Sequence, residues 1–127
     1  MRLFVYGTLT DSATAERVAG DASFAGAAVC HGLHRVDGEY PTLAPGGRVE
    51  GRLLDTGQVA AVDAYEGVES GLYVRVELPG PAPEGTVGTY VGDPARLGAD
   101  AEWPGEGPFA RRVRRYVASG VRVEREE

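Results

Sequence analysis

Apolar and polar residues alternate in two parts of the chain, residues 48–54 and 72–78. This period of two is typical of a strand that buries one face against a core. Alternate side chains of a strand point to the same side, so Tyr73, Arg75 and Glu77 share the polar face of the second strand. The pattern therefore predicts two half-buried strands, and it places a tyrosine and an arginine side by side on one of them.

Apolar residues recur at helical spacing in three other segments, residues 11–19, 55–67 and 109–117. Asp11 is a good N-cap for the first of these helices. Gly67 stands where the second would end, because glycine readily adopts the left-handed conformation that closes a helix. The chain is therefore expected to combine strands with short amphipathic helices.

Glycine and proline residues in the remaining segments predict bends and turns. Residues 23–36 predict a strand bent by glycines, and such a strand suits a small barrel. Trp103 is the expected anchor of a long irregular segment, and residues 120–127 are expected to form a loose tail. Residues 86–91 predict the last long strand, paired with 72–78 as a hairpin. Turns are expected at residues 37–41, 44–47, 79–83 and over most of 92–107.

Length and charge limit the classes of function. A chain of 127 residues, 43% of them hydrophobic, is expected to form one domain over residues 1–127 with a working core. No apolar stretch approaches the ~20 residues of a membrane span and no leader pattern is visible, so we expect a cytoplasmic protein. The net charge of −6 disfavours nucleic acid and anionic membranes. A small molecule is the expected partner, and the oligomeric state stays open.

The first nine residues contain the first candidate site. An apolar strand over residues 2–6 stops at Gly7, and the loop Tyr6-Gly7-Thr8-Leu9 leads towards the first helix. Free backbone N–H groups between a strand end and a helix start can bind an anion or a carbonyl oxygen. An ordinary strand-to-helix turn is the alternative that the local sequence leaves open.

Cys30, His31 and His34 are the nearest approach to a metal-binding motif. On one strand, Cys30 and His34 would point to one side and His31 to the other, which makes ligation by all three awkward. Apolar neighbours would raise the pKa of the Cys30 thiol and keep it unreactive. We therefore expect neither a metal site nor a nucleophilic cysteine, and carboxylates remain as candidates.

Glu66 is the carboxylate with the most suggestive surroundings. It ends a predicted helix beside the aromatic Tyr65, just before the strand that carries Tyr73 and Arg75. Partial burial against aromatic side chains raises the pKa of a carboxyl and makes it a usable acid or base near neutrality. The alternative is a solvated glutamate at a helix end, and Glu69 is the fallback candidate.

Three short motifs together resemble those of the γ-glutamylcyclotransferase-like (AIG2-like) family. They are Tyr6-Gly7-Thr8-Leu9 after the first strand, Gly38-Glu39-Tyr40-Pro41, and Val62-Asp63-Ala64-Tyr65-Glu66-Gly67 followed by Tyr73-Val74-Arg75. The third resembles a Leu-Asp-x-x-Glu-Gly…Tyr-x-Arg signature, in which Val62 replaces the usual leucine. The resemblance extends from Arg2 to about Val91. It implies an α+β fold, a small mixed, strongly curved β-barrel flanked by short helices, with a cavity at one barrel mouth.

The resemblance also implies an activity. Family members act on a γ-glutamyl amide or peptide, whose own α-amine attacks the γ-carbonyl to release 5-oxoproline and an amine. Glu66 would be the catalytic acid/base, and no cofactor or metal is expected. Residues Tyr6, Gly7, Thr8, Leu9, Tyr73 and Arg75 would bind the substrate.

Two other functions stay open at this point. The same barrel could serve as a non-catalytic small-molecule binding domain, since a fold does not fix a function. An ion pair between Glu66 and Arg75 would favour that structural interpretation, whereas a raised Glu66 pKa in a cavity would favour catalysis. The chain could also be an interaction domain that dimerises through the apolar stripe of residues 109–117.

Overall fold

Six strands form one mixed sheet in the part of the chain that the structure describes, residues 1–126 of a computed structural model. The strands are β1 (Arg2–Val5), β2 (Ser23–Val36), β3 (Thr42–Asp55), β4 (Tyr73–Pro79), β5 (Thr86–Gly92) and β6 (Arg122–Arg125). Their spatial order is β4-β5-β1-β3-β2-β6. β1 runs parallel to β5, and the other neighbouring strands pair antiparallel. The hairpin of β4 and β5 confirms the sequence prediction.

Short helices flank this sheet. They are α1 (Ser12–Val18), α2 (Val59–Glu66), α3 (Pro94–Leu97) and α4 (Phe109–Val117), and a 3-10 turn spans Thr8–Thr10. The side chain of Asp11 caps α1 by accepting a hydrogen bond from the Thr14 backbone N–H. Three of the helices therefore lie where the apolar spacing predicts them, while α3 lies in a segment expected to be mostly turn.

The sheet is strongly curved, as predicted. The Cα atoms of its two edge strands, β4 and β6, approach within 8 Å of each other. Two irregularities in the pairing of β2 with β3, at Phe24/Ala27 and His31/Leu33, bend the two long strands. The α+β fold with a curved, barrel-like sheet flanked by short helices is thereby confirmed.

Residues 44–47 correct one prediction. They were expected to form a turn, but they belong to β3, which continues from Thr42 to Asp55. Gly46 and Gly47 have φ values of +100° and +71° and lie where the register with β2 shifts. A glycine pair in left-handed conformation can therefore mark a bulge inside a strand as well as a turn between strands.

The chain end corrects another prediction. Instead of a loose tail from residue 120, residues 122–125 form β6, which pairs antiparallel with β2. Val121, just before β6, and Val123, within it, are 3% and 2% exposed, so this end of the chain packs against the hydrophobic core. Residue 127 lies outside the described residues. The burial of two valines explains why this charged segment is ordered.

The core has two parts. One lies inside the curved sheet and includes Phe4, Leu53 and Val91, and the other lies between the sheet and helices α1 and α2. Trp103 is buried in the first part with its ring edge-on to those of Phe109 and Tyr116, so it anchors its segment as predicted. The apolar stripe of α4 packs on this core too, which occupies the face that a dimer would use.

A substitution at Gly51 tests the packing of β1 on β3. A Cβ atom at Gly51 would overlap the Val5 carbonyl oxygen and lie 2.8 Å from the ring of Phe4. We expect Gly51→Ala to lower the free energy of unfolding by about 1–3 kcal/mol through overpacking. Gly20→Ala, which meets nothing within 4 Å, is the control. Equal urea midpoints for the two variants would contradict this account of the core.

Candidate active site

A cavity of about 290 Å³ opens between β1, α2 and the start of β4. This volume is near the lower end of the range for small-molecule sites, roughly 300–1,000 Å³. Its lining consists of residues 4–9, Tyr40, Pro41, Tyr65, Glu66, Leu72, Tyr73 and Tyr90. The loop of residues 6–9 and Glu66, separated by almost sixty positions in sequence, thus meet at one cavity.

The loop of residues 6–9 is held in place by core packing and by hydrogen bonds to its carbonyl groups. Leu9 is buried in the second part of the core, and the Thr10 backbone N–H and hydroxyl both donate to the Gly7 carbonyl. Arg35 donates to the Tyr6 carbonyl at 3.2 Å. For the backbone N–H groups of Gly7, Thr8 and Leu9, no hydrogen-bond partner is found among residues 1–126. These donors are therefore available to a ligand.

Glu66 is the last residue of α2, and Gly67, with φ of +76°, ends the helix behind it. The helix end is closed by hydrogen bonds from the backbone N–H groups of Gly67 and Val68 to carbonyls within α2. Burial raises the pKa of the Glu66 carboxyl to about 7. Half of the Glu66 side chains would thus be ionised near neutral pH.

Arg75 lies outside the cavity lining. Its guanidinium donates to the Asp63 carboxylate at 3.0 and 3.3 Å. The Tyr90 hydroxyl donates to the same carboxylate at 2.6 Å. Arg75 therefore links β4 to α2 through Asp63. Within the described chain, no ion pair between Arg75 and Glu66 is found. Of the substrate-binding candidates, Arg75 is the one that the structure does not bring into the cavity.

Two buried tyrosines border the cavity beside Glu66. The Tyr6 hydroxyl donates to the Tyr90 carbonyl at 2.5 Å, and the Tyr73 hydroxyl donates to the Pro41 carbonyl at 2.6 Å. Burial raises the pKa of both hydroxyls above the usual value of tyrosine. Both therefore stay neutral, and since their protons are engaged, they offer lone pairs to a ligand that donates.

The cavity lining also includes Tyr40 and Tyr90, which were not among the predicted site residues, and Tyr65, which was predicted only as an aromatic neighbour of Glu66. Tyr40 and Tyr65 are 53% and 40% exposed, and the Tyr65 hydroxyl hydrogen-bonds with that of Thr8 at 2.8 Å. Tyr90 was missed because it lies in a strand whose local pattern resembles any buried strand. Tyr40 belongs to one of the motifs, which was the only available signal.

The histidines correct a prediction about β2. Cys30 and His34 were expected to share a face, but Cys30 and Leu33 are buried together while His34 is exposed. The register shifts between His31 and Leu33, where β3 has one residue more than β2 and Gly32 of β2 has a φ of +103°, so the regular alternation of β2 stops there. Burial raises the pKa of the Cys30 thiol to about 12. No group of three or more His, Cys, Asp or Glu side chains suited to a metal ion is found in residues 1–126.

Solved structures share this fold. A structure named gamma-glutamyl cyclotransferase matches at 20% identity with a TM-score of 0.61, over 73% of this chain and 66% of that one. An uncharacterised protein from Homo sapiens matches at 22% identity with a TM-score of 0.61, over 72% and 66%. One from Pyrococcus horikoshii matches at 20% identity with a TM-score of 0.57, over 72% and 77%. The chain thus spans 66% of the length of each of the first two structures.

Sequence comparison gives the family. Among curated proteins, no match was found. None of the helices in residues 1–126 is both long and apolar enough to cross a membrane. The model of the family described as "Gamma-glutamyl cyclotransferase, AIG2-like" matches residues 3–107. This match covers most of the chain and takes in the loop of residues 6–9 and Glu66, so the chain belongs to the gamma-glutamyl cyclotransferase, AIG2-like family.

Proposed function

We propose that the protein is a cyclotransferase that converts a γ-glutamyl amide into 5-oxoproline and a free amine, with Glu66 as general acid/base. The observation that carries this proposal is the raised pKa of a carboxyl that lines the same cavity as Gly7, Thr8 and Leu9, whose backbone N–H groups have no partner among residues 1–126. A proton shuttle works best when its pKa lies near the working pH. A pKa of about 7 meets that requirement at neutrality.

The reaction is an intramolecular acyl transfer. The substrate's α-amine nitrogen attacks its own γ-carbonyl carbon, a five-membered lactam C–N bond forms, and the original amide C–N bond breaks. Two protons leave the α-ammonium nitrogen as it becomes the N–H of the lactam, and two protons are delivered to the amide nitrogen, which departs as an ammonium ion. Nucleophile and electrophile are parts of one molecule, so a site that holds them in the attacking conformation removes much of the barrier.

Glu66 is suited to carry these protons, one at a time. Its ionised form accepts a proton from the α-ammonium, and the acid so formed returns it to the nitrogen of the leaving amine. Burial raises its pKa, and among the described residues no cationic partner occupies the carboxylate. This observation favours the catalytic function over the non-catalytic binding domain on the same fold.

The other lining groups have complementary roles. The N–H groups of Gly7, Thr8 and Leu9 can donate to the oxyanion that develops on the γ-carbonyl or to the substrate α-carboxylate. The hydroxyl oxygens of Tyr6 and Tyr73 can accept from the α-ammonium, because their own protons are engaged with backbone carbonyls. Proton transfer and hydrogen bonding suffice for this reaction, so we propose that it needs no metal or cofactor.

Incubation with a panel of γ-glutamyl amines, γ-glutamyl dipeptides and glutathione tests the proposal. We expect 5-oxoproline to appear together with an equimolar amount of amine from at least one member, at a rate unchanged by a chelator. The absence of 5-oxoproline from every member would favour the binding domain. A rate that a chelator abolishes and zinc restores would show that the carboxylate mechanism is wrong.

A further inference from the structure

The carbonyl groups of the loop of residues 6–9 determine the directions of its free N–H groups. The peptide bonds of this loop are trans, and in a trans peptide the C=O and N–H bonds point in opposite directions. The Thr10 backbone N–H and hydroxyl donate to the Gly7 carbonyl at 3.0 and 2.7 Å. The Asp11 N–H donates to the Thr8 carbonyl at 3.2 Å. The two N–H groups that follow these carbonyls are therefore oriented by bonds within the turn itself.

The peptide between Tyr6 and Gly7 is held differently. Its carbonyl oxygen accepts a hydrogen bond from Nη1 of Arg35 at 3.2 Å, and within residues 1–126 no other donor to this oxygen is found. Arg35 lies on β2, 29 positions further along the chain. The direction of the Gly7 N–H therefore depends on a side chain from another element of the fold.

The bond from Arg35 matters because the peptide that it holds could otherwise rotate. Gly7 has no Cβ atom, so it places few steric limits on rotation of the peptide group before it. Gly7 lines the cavity, whereas Arg35 does not, so the Gly7 N–H points away from a group outside the cavity lining. Rotation of this peptide would exchange the two bonds and present a carbonyl oxygen where a substrate oxyanion or carboxylate needs a donor.

The charge of Arg35 adds to this effect. A hydrogen bond to a carbonyl oxygen polarises the peptide group and makes its N–H a stronger donor. The other partner of the guanidinium is the Asp37 carboxylate at 3.5 Å, which is 88% exposed. An exposed ion pair of this kind contributes little, so the bond to the Tyr6 carbonyl is the contact of Arg35 with structural consequences for the loop.

From this geometry we infer that Arg35 is a positioning residue, which holds the Tyr6–Gly7 peptide in the orientation that presents the Gly7 N–H to the substrate. This inference rests on the proposed function and adds to it a residue outside the cavity lining. The N–H groups of Thr8 and Leu9 do not depend on Arg35, so its loss misplaces one donor of three.

The effect on the reaction is tested by substitution of Arg35. Arg35→Met removes the guanidinium and keeps an apolar stem. We expect kcat/KM for 5-oxoproline release to fall roughly tenfold to a hundredfold, because removal of one oxyanion donor costs up to about 10²–10³-fold. Arg35→Lys keeps a charged donor, and we expect it to recover part of this loss. A wild-type kcat/KM in Arg35→Met would overturn the inference.

Asp37→Asn is the matched control. It removes the ion pair of Arg35 and leaves the bond to the Tyr6 carbonyl, so we expect the wild-type kcat/KM. An equal loss in Asp37→Asn and Arg35→Met would assign the effect to the ion pair and would overturn the inference.

The direction of the Gly7 N–H bond can also be measured without any substrate. Residual dipolar couplings from NMR report the direction of each backbone N–H bond. We expect Arg35→Met to change the coupling of Gly7 and to leave those of Thr8 and Leu9 as in the wild type. An unchanged Gly7 coupling, or an equal change at all three residues, would overturn the inference, since the second result means a general disturbance of the loop.

The couplings and the rates separate this inference from the proposed function. A change confined to Gly7, in a protein that releases no 5-oxoproline from any γ-glutamyl amide, would support the placement of the N–H by Arg35 and overturn the cyclotransferase. Release of 5-oxoproline by the wild type, with an unchanged Gly7 coupling in Arg35→Met, would do the reverse. An unchanged coupling without any release would overturn both.

Discussion

Replacement of Glu66 by Gln is expected to lower the rate of 5-oxoproline release by about 10²–10⁴-fold, the range over which general acid–base catalysis contributes. Glutamine keeps the size and hydrogen-bonding capacity of the side chain but cannot carry a proton between the α-ammonium and the leaving amine. Glu69→Gln is the matched control. It lies three positions further on, is exposed and does not line the cavity, so we expect it to retain the wild-type rate.

The Glu66→Gln substitution should not lower the free energy of unfolding. Because the pKa of Glu66 is raised to about 7 in the folded protein, the stability linked to its bound proton is present below about pH 4.5 and is lost as the pH rises through 7. Glutamine does not ionise, so Glu66→Gln at pH 8 should be at least as stable as the wild type and at most about 3 kcal/mol more stable. If Glu66→Gln keeps most of the wild-type rate of 5-oxoproline release, a group other than Glu66 transfers the proton.

Gly7→Val is expected to lower kcat/KM by roughly tenfold to a hundredfold, because displacement of a bound substrate by about 1 Å can cost that much. A Cβ atom at Gly7 would lie 3.8 Å from Cγ of Pro41, an ordinary contact, so the smaller Gly7→Ala should be well tolerated. The branches of valine extend further, towards the cavity that Gly7 and Pro41 both line. We therefore expect a raised KM in Gly7→Val.

Thermal melting of the variants at Gly7 and Thr8 distinguishes a loss of substrate binding from a loss of folding stability. We expect Gly7→Val to lose much more activity than stability, and Thr8→Ala to be milder because the Thr8 backbone N–H remains. A Gly7→Val variant with an unchanged KM and a lower Tm would mean that the loop of residues 6–9 is an ordinary turn without a role in binding.

The strands and helix ends that depend only on neighbouring residues were predicted correctly from the sequence. The alternation in residues 72–78 and the apolar run before Gly7 gave strands near their observed bounds. Helix α2 was predicted to end near Gly67 because its closing conformation depends on that one residue. The surroundings of Glu66 were predicted in part, since Tyr65 and Tyr73 are its neighbours in sequence.

Pairing between distant segments was not predictable in the same way. The bulge beside His31 depends on which β3 residue lies opposite, and it reversed the predicted face of His34. β6 was missed since its order depends on contacts with β2 rather than on its own four residues. The partner of Arg75 was equally hidden, because only the folded chain shows that Asp63 and Tyr90 meet there.

The pH dependence of kcat/KM, compared with the titration of the Glu66 carboxyl in the free protein, tests the central claim most directly. The lower limb of kcat/KM reports the pKa of an essential base in the free enzyme. Carbon NMR of protein labelled at glutamate carboxyls, with Glu66→Gln to assign the signal, gives the pKa of Glu66 itself. We predict that both lie at about 7. A Glu66 carboxyl that titrates near its usual value of 4.5, or a rate that does not follow its ionisation, would contradict the account.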